Sequence, residues 1–218
     1  MSAVTPEKVF VIPNGIDFTR FHWATNQVRS DNIILYVGAI VPPKGIHFLI
    51  DAVRIVQNHV PNVRLQIVGD PQLWYPSPNY QEYYEKLQKI ARGVRNIEFL
   101  GAKNRDEIVK IYNRAAVVAV PTVFFESFSM VTLEAMASKT PVIASIAGAT
   151  PELIDHGKTG LLVPPCDSKA LAEGLVALLT DRKLRMRITE NAYHNVKERY
   201  SWNIVMKKIL NLYQRYSR

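Results

Sequence analysis

An open, doubly wound, mainly parallel α/β sheet with helices on both faces is the architecture that this 218-residue sequence predicts, on three observations. Short β-branched or leucine-rich runs recur along the chain with helical patterns between them, the rhythm of β-α repetition. The central runs lack polar alternation, as expected of parallel strands covered on both faces. After residue 180 the pattern becomes purely helical, so the sheet ends there and helices close the chain.

The strand-like runs are Val9–Ile12, Ile33–Val37, Arg64–Val68, Ile97–Leu100, Val117–Val120, Val142–Ala144 and Leu161–Val163. Helical stretches lie near 45–58, 80–92, 105–115, 130–138, 150–156 and 169–180, followed by Arg182–Arg199 and Ser201–Tyr216. Asn104-Arg-Asp-Glu107 has the form of a capping box, and Asp167 and Ser201 are of the type that caps helix N-termini. Pro151 suits the first position of a helix, and Gly148 and Gly160 suit tight turns, so residues 147–164 read as mostly structural. The proline-rich aromatic stretch 71–79 follows a strand and leads into a helix. It is a candidate ligand loop or, equally, a packed surface loop.

Composition narrows the function classes. Hydrophobic residues make up 48% and charged residues 21%, values of an ordinary globular protein. The net charge of +8 suits a partner that carries phosphates, without choosing among nucleotide, nucleic acid and anionic lipid. No basic-aromatic groove motif stands out, which makes nucleic acid the weakest of the three. Cys166, the single cysteine, excludes an internal disulfide and a thiolate cluster. Met1–Lys8 has no signal-peptide pattern, and no apolar run approaches the roughly 20 residues of a membrane span. A cytoplasmic location is expected, with the inner face of a membrane as its outer limit.

The motifs with chemistry lie in two segments. Residues 130–137 read Met-Val-Thr-Leu-Glu-Ala-Met-Ala, a helix apolar nearly all round that should be buried. Glu134 has no polar face there and needs a partner. A ligand diol is one candidate; an internal salt bridge or a bond to nearby backbone is the other. The amides of Phe128, Ser129, Met130 and Val131 fall at the start of this helix, where they can cradle a pyrophosphate. Glu126, in the loop ahead, would face whatever that pyrophosphate carries. Upstream, Gly38 permits close backbone approach, and Lys44 stands at a helix start that also favours anions. A lysine there is weak evidence alone, and neither a Walker loop nor a dinucleotide fingerprint is present.

Read together, Val11-Ile-Pro-Asn14-Gly15-Ile-Asp17, Tyr36-Val-Gly38, Lys44-Gly45, Gln66-Ile-Val-Gly69-Asp70, Phe99-Leu-Gly101, Glu126 with Glu134-Ala-Met-Ala, and Gly157-Lys-Thr-Gly160-Leu-Leu-Val resemble a known family. They are similar to the C-terminal, donor-binding domain of family 4 (group 1) retaining glycosyltransferases of GT-B architecture. The resemblance runs over essentially the whole chain. It implies a linker at 1–8, a Rossmann-like nucleotide-sugar domain at 9–200 and a crossover helix at 201–218. It implies that Lys44 binds the donor phosphates, Glu134 the ribose and Glu126 the transferred sugar. Phe128–Val131 would act through their backbone, and the main chain of Lys103 would meet the base. No metal or cofactor is implied, the nucleotide-diphosphate sugar being the substrate.

Four positions depart from the family pattern. Ala39 replaces the arginine that usually follows the first glycine of the phosphate loop, which removes a cationic contact. Ser129 stands where glycine is common, and its side chain suits a helix cap. Lys139 replaces a helix-ending glycine, and Ala149 the second glycine of a frequent pair.

The implied reaction needs an acceptor, a glycan or a lipid-linked molecule, held by a second lobe outside this sequence. A helix that crosses to that lobe leaves Trp202, Leu210, Leu212 and Tyr213 partly exposed. Its basic side (Lys207, Lys208, Arg215, Arg218) suits solvent or an anionic membrane. Other readings are a stand-alone nucleotide-sugar-binding or regulatory module, or a GT-B phosphorylase, epimerase or disaccharide synthase.

Overall fold

The computed structural model describes residues 9–24, 28–72 and 77–216. Six strands, β1 Ile33–Val37, β2 Arg64–Val68, β3 Ile97–Gly101, β4 Val117–Val120, β5 Val142–Ser145 and β6 Leu161–Val163, form one sheet. Their order is β3-β2-β1-β4-β5-β6, and every pairing is parallel. The chain therefore winds outward from β1 to one edge, returns to the centre at β4, and winds outward to the other edge. Loops diverge where that direction reverses, so a crevice opens beyond the carboxyl ends of β1 and β4.

The helices are α1 Ile46–Val56, α2 Pro78–Ala91, α3 Arg105–Arg114, α4 Met130–Ala137, α5 Thr150–Leu153, α6 Ser168–Thr180, α7 Arg182–Tyr200 and α8 Trp202–Tyr216. Strand residues alternate between two cores. Ile34 and Tyr36 join α1, α2 and α6 on one face; Ile33 and Leu35 join α4 and α7 on the other. This is why β1 lacks polar alternation: both faces are covered. On α1, Ile46, Leu49, Ile50, Ala52, Val53 and Val56 are all buried. Each large side chain among them contributes about 1.5–3 kcal/mol.

The sequence expectations need several corrections. Val9–Ile12 is not a strand. A β-branched run becomes one only beside an open ladder edge, and here Phe10 packs edge-on against Tyr216 of α8 instead. The helix expected at 150–156 ends at Leu153, after a single turn, and Pro151 is its second residue, not its first. The helix expected at 80–92 begins earlier, at Pro78, because proline suits a first turn that needs no amide donor. Ser201 precedes α8, and Ile16 pairs with it in an isolated bridge.

Other local readings hold. Asn104 accepts a bond from the Glu107 amide, and Glu107 accepts one from the Asn104 amide. Asp167 caps α6 through the Ala170 amide. Lys139 adopts the left-handed conformation, φ 53°, that its helix end demands. On α8, Trp202, Leu210 and Tyr213 are exposed, while Leu212 is half-buried. The linker 1–8, the aromatic segment 73–76 and Arg218 lie outside the described residues.

Candidate functional site

The crevice is built from the loops that leave β1 and β4. After β1, the Tyr36 hydroxyl donates to the Ala39 carbonyl at 2.7 Å and closes the turn at Gly38. A short 3-10 turn, Pro42–Lys44, then brings the chain to Gly45, whose left-handed φ of 67° starts α1. The loop after β4 is fastened to this one. The Val123 amide donates to the Pro43 carbonyl at 2.9 Å. A β-carbon at Gly45 would sit 2.0 Å from the Pro121 carbonyl oxygen, so only glycine allows this approach.

Glu126 is held from the opposite side. The Ala149 amide donates to the Glu126 carbonyl at 2.7 Å. Gly148, φ 55°, lies so close that a β-carbon there would stand 2.2 Å from the same oxygen. Residues 147–150 are therefore structural in a specific sense: they fix the backbone that carries Glu126. Nothing in the linear spacing of Gly148 and Glu126 signals this contact.

Between these loops lies a cavity of about 780 Å³ whose lining includes Gly38, Lys44, Lys103, Glu126 and Phe128. Lys44 Nζ and Glu126 Oε2 meet at 2.5 Å, with side chains 23% and 13% exposed. Lys103 lies 4.0 Å from Glu107. Behind the Phe128 wall, Ser129 accepts from the Thr132 amide and caps α4. The α4 amides ahead of Thr132 fall in the first turn, where a helix has no internal acceptors. Ser129, Met130, Val131 and Glu134 stand outside the lining itself.

Glu134 has a protein partner that the sequence did not single out. The Tyr112 hydroxyl, on α3, donates to Glu134 Oε2 at 2.9 Å. The partner is thus neither backbone nor cation. Burial raises the Glu134 carboxyl above its ordinary pKa, opposed by the Tyr112 bond and by the nearby Arg105 charge. Tyr112, fully buried and facing that carboxylate, is raised well above the ordinary phenol value. Glu134 itself is half-buried, not enclosed, so its helix keeps one accessible polar position. Thr122, also missed from the sequence, is among the residues lining the cavity and only 2% exposed, and its buried hydroxyl has no hydrogen-bond partner among the described residues.

A doubly wound parallel lobe with Lys44 and Glu126 lining a cavity at its switch point has the layout of a Rossmann-like α/β lobe of the GT-B type. The profile of the glycosyl transferases group 1 matches residues 17–195. The chain belongs to that family. It is 38% identical to an uncharacterized glycosyltransferase of Methanocaldococcus jannaschii over 96% of its own length and 55% of that protein's. The Anabaena protein HepE, crystallised in complex with UDP-glucose, superposes with a TM-score of 0.85 at 25% identity, covering 97% of this chain and 58% of HepE. The C-terminal domain of a group 1 glycosyl transferase family protein (LpcC) from Francisella tularensis superposes with a TM-score of 0.77 at 30% identity. That match covers 86% of this chain and 100% of the other. The chain spans about half the length of the curated relatives it matches. Among the described residues, no helix is long and apolar enough to cross a membrane, and no three His, Cys, Asp or Glu converge as metal ligands.

Proposed function

We propose that this chain is the donor-binding half of a retaining glycosyltransferase, which moves a sugar from a nucleotide-diphosphate sugar to a glycan or lipid-linked acceptor. The observation that carries the reading is the contact of Lys44 with Glu126 in the lining of the switch-point cavity, which also includes Phe128, just ahead of the N-terminus of α4. A diphosphate suits the cation and the helix amides together, since both offer positive potential to one small region. Charge grows on the departing diphosphate as the glycosidic bond breaks. A fixed cation and fixed amides stabilise that charge without reorganising.

In this reading Glu126 accepts bonds from the transferred sugar, and Glu134 from the ribose. The main chain of Lys103 faces the base. The Gly38 turn and the Phe128–Val131 amides enclose the phosphates. The order of motifs, which resembles that of family 4, supports retention at the anomeric carbon. The acceptor is assigned to a second lobe, corresponding to the half of the relatives that the match leaves uncovered. Complexes of HepE with UDP and glucose, and with UDP, support a nucleotide sugar as the donor class. A cytoplasmic location, with the inner face of a membrane as its outer limit, completes the proposal.

Isothermal titration with nucleoside diphosphates and their sugar conjugates tests it. Glu134→Ala and Lys44→Ala should each weaken binding by about tenfold or more, the worth of a charge-assisted hydrogen bond. Unchanged affinity in both variants would sink the site assignment.

A further inference from the structure

The cleft holds its opposing charges in contact, and both are fixed at the backbone. Gly45 packs on Pro121 beneath Lys44, and Ala149 holds the carbonyl of Glu126. Among the described lining residues, Lys44 and Lys103 supply the positive charge and Glu126 the negative. The Glu126 side chain is only 13% exposed, so water does little to screen it when its cation is drawn elsewhere.

We infer that the Lys44–Glu126 pair sets the ligand preference of the site, favouring a nucleoside diphosphate that carries a sugar over the bare nucleoside diphosphate. The inference rests on the donor-site reading above. Drawing Lys44 onto a diphosphate splits the pair and leaves a mostly buried carboxylate without its cation, an expensive state. A sugar relieves that state, because its hydroxyls donate to the carboxylate. A bare diphosphate aggravates it, bringing additional negative charge and no donor for Glu126. The bare diphosphate is also what transfer leaves behind, so the same preference hastens its release.

Glu126→Gln keeps the shape of the side chain and removes its charge. The protein and this variant are titrated with UDP and UDP-glucose, GDP and GDP-mannose, and ADP and ADP-glucose. The comparison uses whichever pair binds the unaltered protein most tightly. The variant should bind the bare diphosphate about tenfold tighter and the sugar conjugate no tighter, so the preference for the conjugate collapses. A misfolded variant cannot produce that gain. An equal gain for both ligands overturns the inference, because Glu126 would then only repel phosphate. So does an unchanged or weaker affinity for the bare diphosphate. If binding still falls in Glu134→Ala, the donor-site reading survives either result. Failure of all three pairs to bind the unaltered protein overturns both.

Discussion

The Glu134 carboxylate takes its hydrogen bond from the Tyr112 hydroxyl in surroundings that disfavour its charge. A carboxyl whose folded pKa is raised stabilises the fold fully below its unfolded pKa, and that contribution is lost as pH rises through the folded value. The window therefore opens at about pH 4.5 and extends upward. Glu134→Gln removes the titration, so urea unfolding at a series of pH values should show the variant gaining on the unaltered protein across that window. A constant difference between the two would show that Glu134 is not strained by burial. From the sequence, the helix 130–137 revealed that Glu134 needs a partner. It did not name Tyr112, because the two residues stand 22 positions apart, on α3 and α4, and meet only in the tertiary fold.

Elements carry the site through their ends rather than their bodies. β1, β2, β4 and β6 were legible to the residue, because each is a short β-branched or leucine-rich run that stops at a glycine or proline: Gly38, Gly69, Pro121 and Pro164. The capping box of α3 and the Asp167 cap of α6 were equally local signals. The Val9–Ile12 run was misread because propensity says nothing about whether a ladder edge is free. The turn at 146–149 carries the clearest consequence at this scale. Gly148→Ala forces a side chain into a left-handed backbone and against the Glu126 carbonyl. Destabilisation of about 1–3 kcal/mol is expected in urea unfolding, together with weaker binding of sugar nucleotides as the Glu126 loop shifts. Normal binding in a destabilised variant would uncouple that turn from the site.

At the scale of the molecule, the apolar stripe Trp202, Met206, Leu210 and Tyr213 on α8 faces outward. Exposed apolar faces of this kind drive association. Met206→Lys with Leu210→Lys should lower the binding of a hydrophobic dye and the light scattering of concentrated protein, while unfolding energy changes by no more than about 1 kcal/mol. Equal scattering would show that the stripe does not mediate association. The sequence by itself determined the β-α rhythm, the type and place of most elements, and the residue types of the proposed phosphate-and-sugar site. These follow from local periodicity, capping and charge. Only the tertiary structure decided the strand order, and with it the crevice between β1 and β4. It also decided that Lys44 meets Glu126 across 82 residues, that Tyr112 serves Glu134, and that Gly45 and Gly148 clamp one loop from two sides. Those contacts depend on which loops the parallel crossovers bring together, and short-range sequence patterns carry no record of it.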